Sequence, residues 1–151
     1  MFSASLVKVK RLHPTAFIPD YQTDGAAALD LHACSYNEWE MTVIAPGQRK
    51  LIKSGLAMSV PRGYMALVTP RSGTAYKKGI TVTNSPGIID SDYRGDIGTI
   101  VQNDGDEDFI VTVGERISQL SFVPVLRVTL VEVDNLDETE RGADGFGSTG
   151  A

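Results

Sequence analysis

The residues with the most chemistry to offer near the end of the chain are Arg141, Phe146, Ser148 and Thr149, set among the four glycines of Gly142–Ala151. A guanidinium and two hydroxyls are groups that grip phosphate oxygens, and a flat ring stacks on a base. Ordering each residue costs about 1–2 kcal/mol of backbone entropy. Burying the Phe146 ring returns only about 1.5–3 kcal/mol. The stretch cannot pack by itself. It reads either as a tail that orders when a phosphate-bearing ligand arrives or as a plain flexible end. Gly142-x-x-x-x-Gly147-Ser148-Thr149 nearly spells a P-loop. Ser148 stands where that motif needs lysine, and no helix is expected to follow, so the P-loop reading is rejected.

Pro70-Arg71-Ser72-Gly73 falls where a strand meets a short helix. Helix-start amides favour an anion, Ser72 adds a hydroxyl, and Arg71 adds a charged fork. An ordinary helix cap with a surface arginine is the alternative. Asn84 to Asp96 reads as a long hairpin between two strands. Its tip offers free backbone groups that pair with the edge of a flat base, and Asn84 can read a donor and acceptor pattern. Asp90 follows Ile88 and Ile89, a setting expected to desolvate its carboxylate in part and suit it to general-base work. Asp92 and Asp96 read as ordinary turn residues, and an acidic turn is the alternative for Asp90 as well.

Gly114-Glu-Arg-Ile-Ser-Gln119 opens another strand. Gln119 can donate to a phosphate, while Glu115 and Arg116 read equally well as a surface ion pair of small worth. Asp30 sits inside the apolar run Leu29-Asp30-Leu31, and a buried charge needs a partner. That partner is either a structural arginine or a metal-bound water. His13 and His32 lack the spacing of a zinc site and read as structural. Cys34 is assigned no role.

The elements that must position these groups are short strands. Leu6–Lys10, Trp39–Ile44, Gly55–Val60, Tyr64–Thr69, Ile80–Thr83, Ile97–Gln102, Phe109–Val113, Ile117–Val123 and Val125–Val133 alternate or are apolar, with Pro, Gly, Asn and Asp between them. That spacing predicts an all-β sandwich or jelly roll. One helix is expected over Ser72–Lys78, with Ser72 as N-cap and Gly79 as its stop. Asp134–Glu140 reads as an acidic linker to the tail.

With 151 residues and a formal charge of −5, one domain with a real core is expected, and wrapping of duplex nucleic acid is not. A single cysteine points to a reducing compartment. No leader or membrane-length apolar run is read, so the expectation is a soluble, cytoplasmic protein without nucleic-acid or membrane partners.

Taken in order, five segments resemble the motifs of the trimeric dUTP pyrophosphatase (dUTPase) family. They are Ala27–Ala33, Pro70–Ala75, Asn84–Asp96, Gly114–Leu120 and Arg141–Gly150. The resemblance implies a jelly roll over residues 1–133, a linker and closing tail over 134–151, and a homotrimer with active sites shared between subunits. One chain is then expected to supply the first, second and fourth motifs of a site, a second the hairpin and a third the tail. The implied reaction turns dUTP and water into dUMP and pyrophosphate, with Mg²⁺ on the triphosphate. It keeps uracil out of DNA and supplies dUMP for dTMP synthesis. Asp90 is the implied base, activating the water that attacks the α-phosphorus.

The same resemblance assigns substrate contacts. Arg71, Ser72, Gly73 and Gln119 match phosphate-arm positions. Asn84, with the hairpin at Gly87 and Ile89, matches the uracil reader, and Tyr93 the ring packed on the deoxyribose. Arg141 matches a catalytic, γ-phosphate-binding arginine, and Phe146, Gly147 and Ser148 the tail that covers the ligand. Asp30 matches a carboxylate near the metal's water shell. Ala28, Asp96 and Asp144 depart from the usual motifs, and Asp144 puts an extra carboxylate near the tail.

Two rivals remain. A dCTP deaminase of the same fold needs a glutamate where this chain has Ile100. A non-enzymatic nucleotide-sensing binder would use tail ordering as its switch.

Overall fold

The computed structural model of the chain describes residues 6–35 and 41–145. In chain order the strands are β1 (Lys8–Arg11), β2 (Leu29–His32), β3 (Met41–Ile44), β4 (Arg49–Lys53), β5 (Leu56–Ser59) and β6 (Tyr64–Thr69). Helix α1 (Ser72–Lys78) comes next. It is followed by β7 (Ile80–Val82), β8 (Gly87–Ile89), β9 (Gly98–Asn103), β10 (Phe109–Thr112) and β11 (Arg116–Pro124). Every pairing is antiparallel. Among the described residues the sheets have the orders β2-β11-β6-β8, β4-β9-β7, β10-β3 and β1-β5, and none closes into a barrel. The expected all-β architecture with one short helix is what forms.

Strand β9 shows how the alternation is used. Thr99, Val101 and Asn103 are buried, while Gly98, Ile100 and Gln102 look to the other side. Residues two apart share a face, so Ile100 is spared for a cleft while Val101 joins the core. One apolar cluster gathers Leu31, Leu56, Val68, Ile97 and Leu120. A second gathers Ile44, Ile52, Val101, Phe109 and Ile117. Between the two larger sheets, buried Thr99 and Ser118 share a hydroxyl hydrogen bond of 2.7 Å.

Helix α1 has the expected span, and Gly79 ends it in the left-handed region at φ 66°, its N–H donating to Ala75 O. The N-cap is Arg71 rather than Ser72, with extended backbone and no side-chain cap bond. Three strands, β2, β4 and β8, were not expected. Each is short, and its pairing with a distant strand, not its own periodicity, makes it a strand. Conversely, the strand expected over Val125–Val133 does not form, because β11 ends at Pro124 and residues 125–145 join no sheet. Leu126, Leu130 and Val131 are exposed there. Alternation offers a strand-like face, but a strand also needs a partner edge for its backbone groups.

Candidate functional site

Two separate groups of polar residues emerge, and the sheet order explains the first. In β2-β11-β6, Gln119 stands opposite Asp30 on one side and Thr69 on the other. Arg71 follows β6 with only Pro70 between them, which brings it to Asp30. Arg71 Nε donates to Asp30 Oδ1 at 2.9 Å, and Arg116 Nη1 donates to Asp30 Oδ2 at 3.2 Å. The carboxylate is 11% exposed and the two arginine side chains 28% and 44%. Asp30 therefore has arginine partners, and two of them. Arg71 Nη1 also reaches Arg116 O at 3.4 Å, and Gln119 Nε2 donates to Pro70 O at 2.8 Å. Ser72 and Gly73 lie exposed on the first turn beside this cluster.

Arg116 is the residue that sequence reasoning missed. Glu115 does not take it as an ion-pair partner, since Glu115 Oε2 accepts from the Thr112 N–H at 3.2 Å. The register of β11 against β2 shifts between Arg116 and Ser118. A break in register re-aims a side chain, as bulges do, and Arg116 turns to Asp30. Opposite Arg116 stands His32. Its ring stacks on Phe17 at 5.3 Å between centroids, and its buried Nδ1 has no hydrogen-bond partner among the described residues. Burial lowers the His32 pKa; the charge and the backbone of Asp30 oppose this, and Arg116 and Arg71 add to it.

The second group is the hairpin. Strand β8 pairs with β6, placing Gly87 opposite Val68. A Cβ at Gly87 would come within 3.2 Å of Asn84 Nδ2, so the Asn84 amide lies close over a bare backbone. Tyr93 OH donates to Asp96 O at 3.0 Å, and Asp96 Oδ1 accepts from the Gly55 N–H at 3.0 Å. Asp96 is thus more than a turn residue, because it fastens the hairpin base to the β4–β5 turn. A cleft of about 420 Å³ opens here, lined by Asn84, Ile89, Asp90 and Tyr93 together with Leu51, Lys53, Ile88, Asp96, Gly98 and Ile100. Asp90 is exposed, as is Ile88, so the expected desolvation by its apolar neighbours is not met within one chain.

Arg71, Arg116, Gln119 and Asp30 do not line that cleft. Arg141 joins neither group in the described residues. Its Nε donates to Asp144 O at 2.8 Å, within its own turn. Phe146, Gly147 and Ser148 lie outside the described residues. Among those described, no three His, Cys, Asp or Glu side chains cluster as metal ligands, and no helix is long and apolar enough to cross a membrane.

This is a mostly-β protein with a guanidinium–carboxylate cluster on one sheet and a hairpin-lined cleft of mixed polar and apolar lining beside another. Residues 15–150 match the dUTPase family model, and the chain belongs to the dUTPase family. It is 49% identical over 144 residues to the deoxyuridine 5'-triphosphate nucleotidohydrolase of Syntrophotalea carbinolica, covering 95% of this chain and 96% of the relative. It is also 49% identical to the Nautilia profundicola enzyme of that name, covering 95% and 98%. The Staphylococcus bacteriophage 80alpha dUTPase with dUPNHPP superposes with a TM-score of 0.85 at 28% identity, covering 98% of this chain and all of that one.

Proposed function

We propose that this protein hydrolyses dUTP to dUMP and pyrophosphate. The observation that carries the proposal is the hairpin cleft, which sets Asn84, Asp90 and Tyr93 around one space in a chain of this family. Asn84 and the backbone at Gly87 and Ile89 meet the polar edge of uracil, and Tyr93 packs on the deoxyribose. Asp90 takes a proton from water as its oxygen attacks the α-phosphorus. The bond from that phosphorus to the bridging oxygen breaks, pyrophosphate leaves, and one proton passes to solvent. An exposed Asp90 is a competent acceptor once water is held against it, and a positioned base is worth about 10²–10⁴ in rate.

Arg71, with Ser72, Gly73 and Gln119, is the phosphate arm. Asp30 holds both Arg71 and Arg116 in place, which presents two fixed cations to a polyanion from an acidic chain. Arg141 completes the charge on the γ-phosphate, with Phe146, Gly147 and Ser148 closing over the ligand. That the arm residues do not line the cleft within one chain supports a complete site assembled between subunits of a homotrimer. The exposed apolar residues after β11 support that reading, since an assembly would cover them.

Mg²⁺ would neutralise phosphate charge and hold the leaving oxygens. The donor set fits an ion carried by phosphate oxygens and water. Asp30, its two oxygens already facing arginines, has lone pairs left for a metal-bound water and would not bind the ion directly. The deaminase alternative is disfavoured because Ile100, lining the cleft, cannot transfer a proton. The test is pyrophosphate release from dUTP against dTTP, dCTP and UTP, with and without Mg²⁺, alongside ammonia release from dCTP. Turnover of dUTP with no ammonia is expected; ammonia without pyrophosphate would replace the reading.

A further inference from the structure

Strand β4 lies outside all five motif segments, yet it lines the hairpin cleft. Leu51 stands opposite Ile100 and Lys53 opposite Gly98, and all four residues border the cleft with Asn84 and Tyr93. Leu51 is 58% exposed, an apolar side chain bordering a cleft of mixed polar and apolar lining. What leaves room for it there is Gly98. A Cβ built on Gly98 would lie 2.6 Å from Leu51 Cδ1 and 3.5 Å from its Cγ. The Leu51 side chain therefore occupies the space that any larger residue at position 98 would fill.

The geometry points to Leu51 as a specificity-determining residue, an apolar wall of the base cleft whose position is set by the absence of a side chain at Gly98. The inference rests on dUTP being the ligand of that cleft. Asn84 and the hairpin backbone meet the ring's polar edge. A flat ring also has apolar faces, and a cleft that reads the edge must cover a face as well. Leu51 and Ile100, cross-strand neighbours on one face of β4-β9, supply that cover. Hydrogen bonds on one side and close packing on the other confine the ring in the plane, where an added methyl or a shifted edge is felt.

Two opposite changes follow. Shortening Leu51 opens the wall. Adding a methyl at position 98 strikes only the far end of a flexible side chain, so the fold survives and Leu51 is driven from its seat, altering the cleft. With Leu51 already shortened, that clash is gone and the same methyl keeps an ordinary contact with Ile52 O at 3.5 Å. The two sites are therefore coupled through one contact, and their effects are non-additive.

The experiment compares wild type, Leu51→Ala, Gly98→Ala and the double variant. It measures dUTP and dTTP kinetics, calorimetric binding of the non-hydrolysable dUpNHpp, and mass by light scattering. Leu51→Ala is expected to raise the KM for dUTP and weaken dUpNHpp binding by about tenfold with kcat nearly unchanged, the size of a lost apolar contact in a pocket. It is also expected to narrow the preference for dUTP over dTTP. Gly98→Ala is expected to weaken dUpNHpp binding, and the double variant to bind no worse than Leu51→Ala. If Leu51→Ala keeps the wild-type KM and preference, or if the two changes simply add, the inference is overturned. A loss of assembly mass in Leu51→Ala assigns the residue to a subunit contact and overturns it as well. If wild type neither binds dUpNHpp nor turns over dUTP, the functional reading itself has failed, a result distinct from the others.

Discussion

Arg71 Nε donates to Asp30 Oδ1 at 2.9 Å, joining the start of helix α1 to strand β2 across 41 positions of sequence. The contact turns two residues that are ambiguous alone into one device. The carboxylate is shielded enough to need a partner, and the guanidinium, held through Nε by Asp30 and through Nη1 by Arg116 O, keeps its Nη2 for another anion.

Replacing Asp30 with Asn should uncouple that device. The two arginines lose a charged acceptor but stay partly in water, so the stability loss is expected at about 1–3 kcal/mol. The larger effect is on the ligand, because Arg71 and Arg116 are no longer aimed. The KM for dUTP should rise more than tenfold, with a smaller change in kcat. Urea unfolding and steady-state kinetics check both halves, and an unchanged KM would separate Asp30 from phosphate binding.

Asp90→Asn keeps the shape of the hairpin and removes the proton acceptor. Turnover should fall by about 10²–10⁴, while affinity for dUpNHpp stays within a few-fold. Calorimetry beside single-turnover kinetics makes the distinction, and turnover near wild type would dismiss Asp90 as the base.

Ending the chain after Glu140 removes Arg141 and Phe146, leaving every strand and the helix in place. The truncated protein should keep its thermal midpoint and oligomeric mass but hydrolyse dUTP very poorly. Full activity in this variant would remove the tail from the mechanism.

The His32 pKa is lowered, chiefly by burial. The unfolded chain, with a histidine pKa of about 6.5, therefore takes up this proton first as pH falls. Stability from this site is present at neutral pH and is lost as pH drops from about 6.5 toward the folded value. In urea melts across that range, the stability of wild type relative to His32→Gln should decline on acidification. Parallel curves would show that His32 does not titrate as described.

The Thr99–Ser118 hydrogen bond is buried between two sheets. Thr99→Val or Ser118→Ala alone leaves a hydroxyl without a partner and should cost about 1–3 kcal/mol. Making both changes should cost clearly less than the sum, because no polar group is then stranded. A double-mutant cycle on urea midpoints reads the coupling.

Much of this was legible in the sequence. The alternation of β6 and β9, the helix closed by Gly79, and the order of the five motif segments point to an all-β member of this family, and they nominate Asp90, Asn84, Arg71 and Gln119 as candidates for its site. These signals are local, set by side-chain period, turn chemistry and residue type. Tertiary structure decided what local patterns cannot. Arg116 pairs with Asp30, 86 positions away, and not with adjacent Glu115, because a shift in strand register sets where its side chain points. Leu51 reaches the cleft because β4 pairs with β9, and its own sequence neighbourhood gives no sign of that. The run at 125–133 has the alternation of a strand but pairs with no sheet edge among the described residues. Periodicity marks which faces are apolar; only register and packing decide which faces meet.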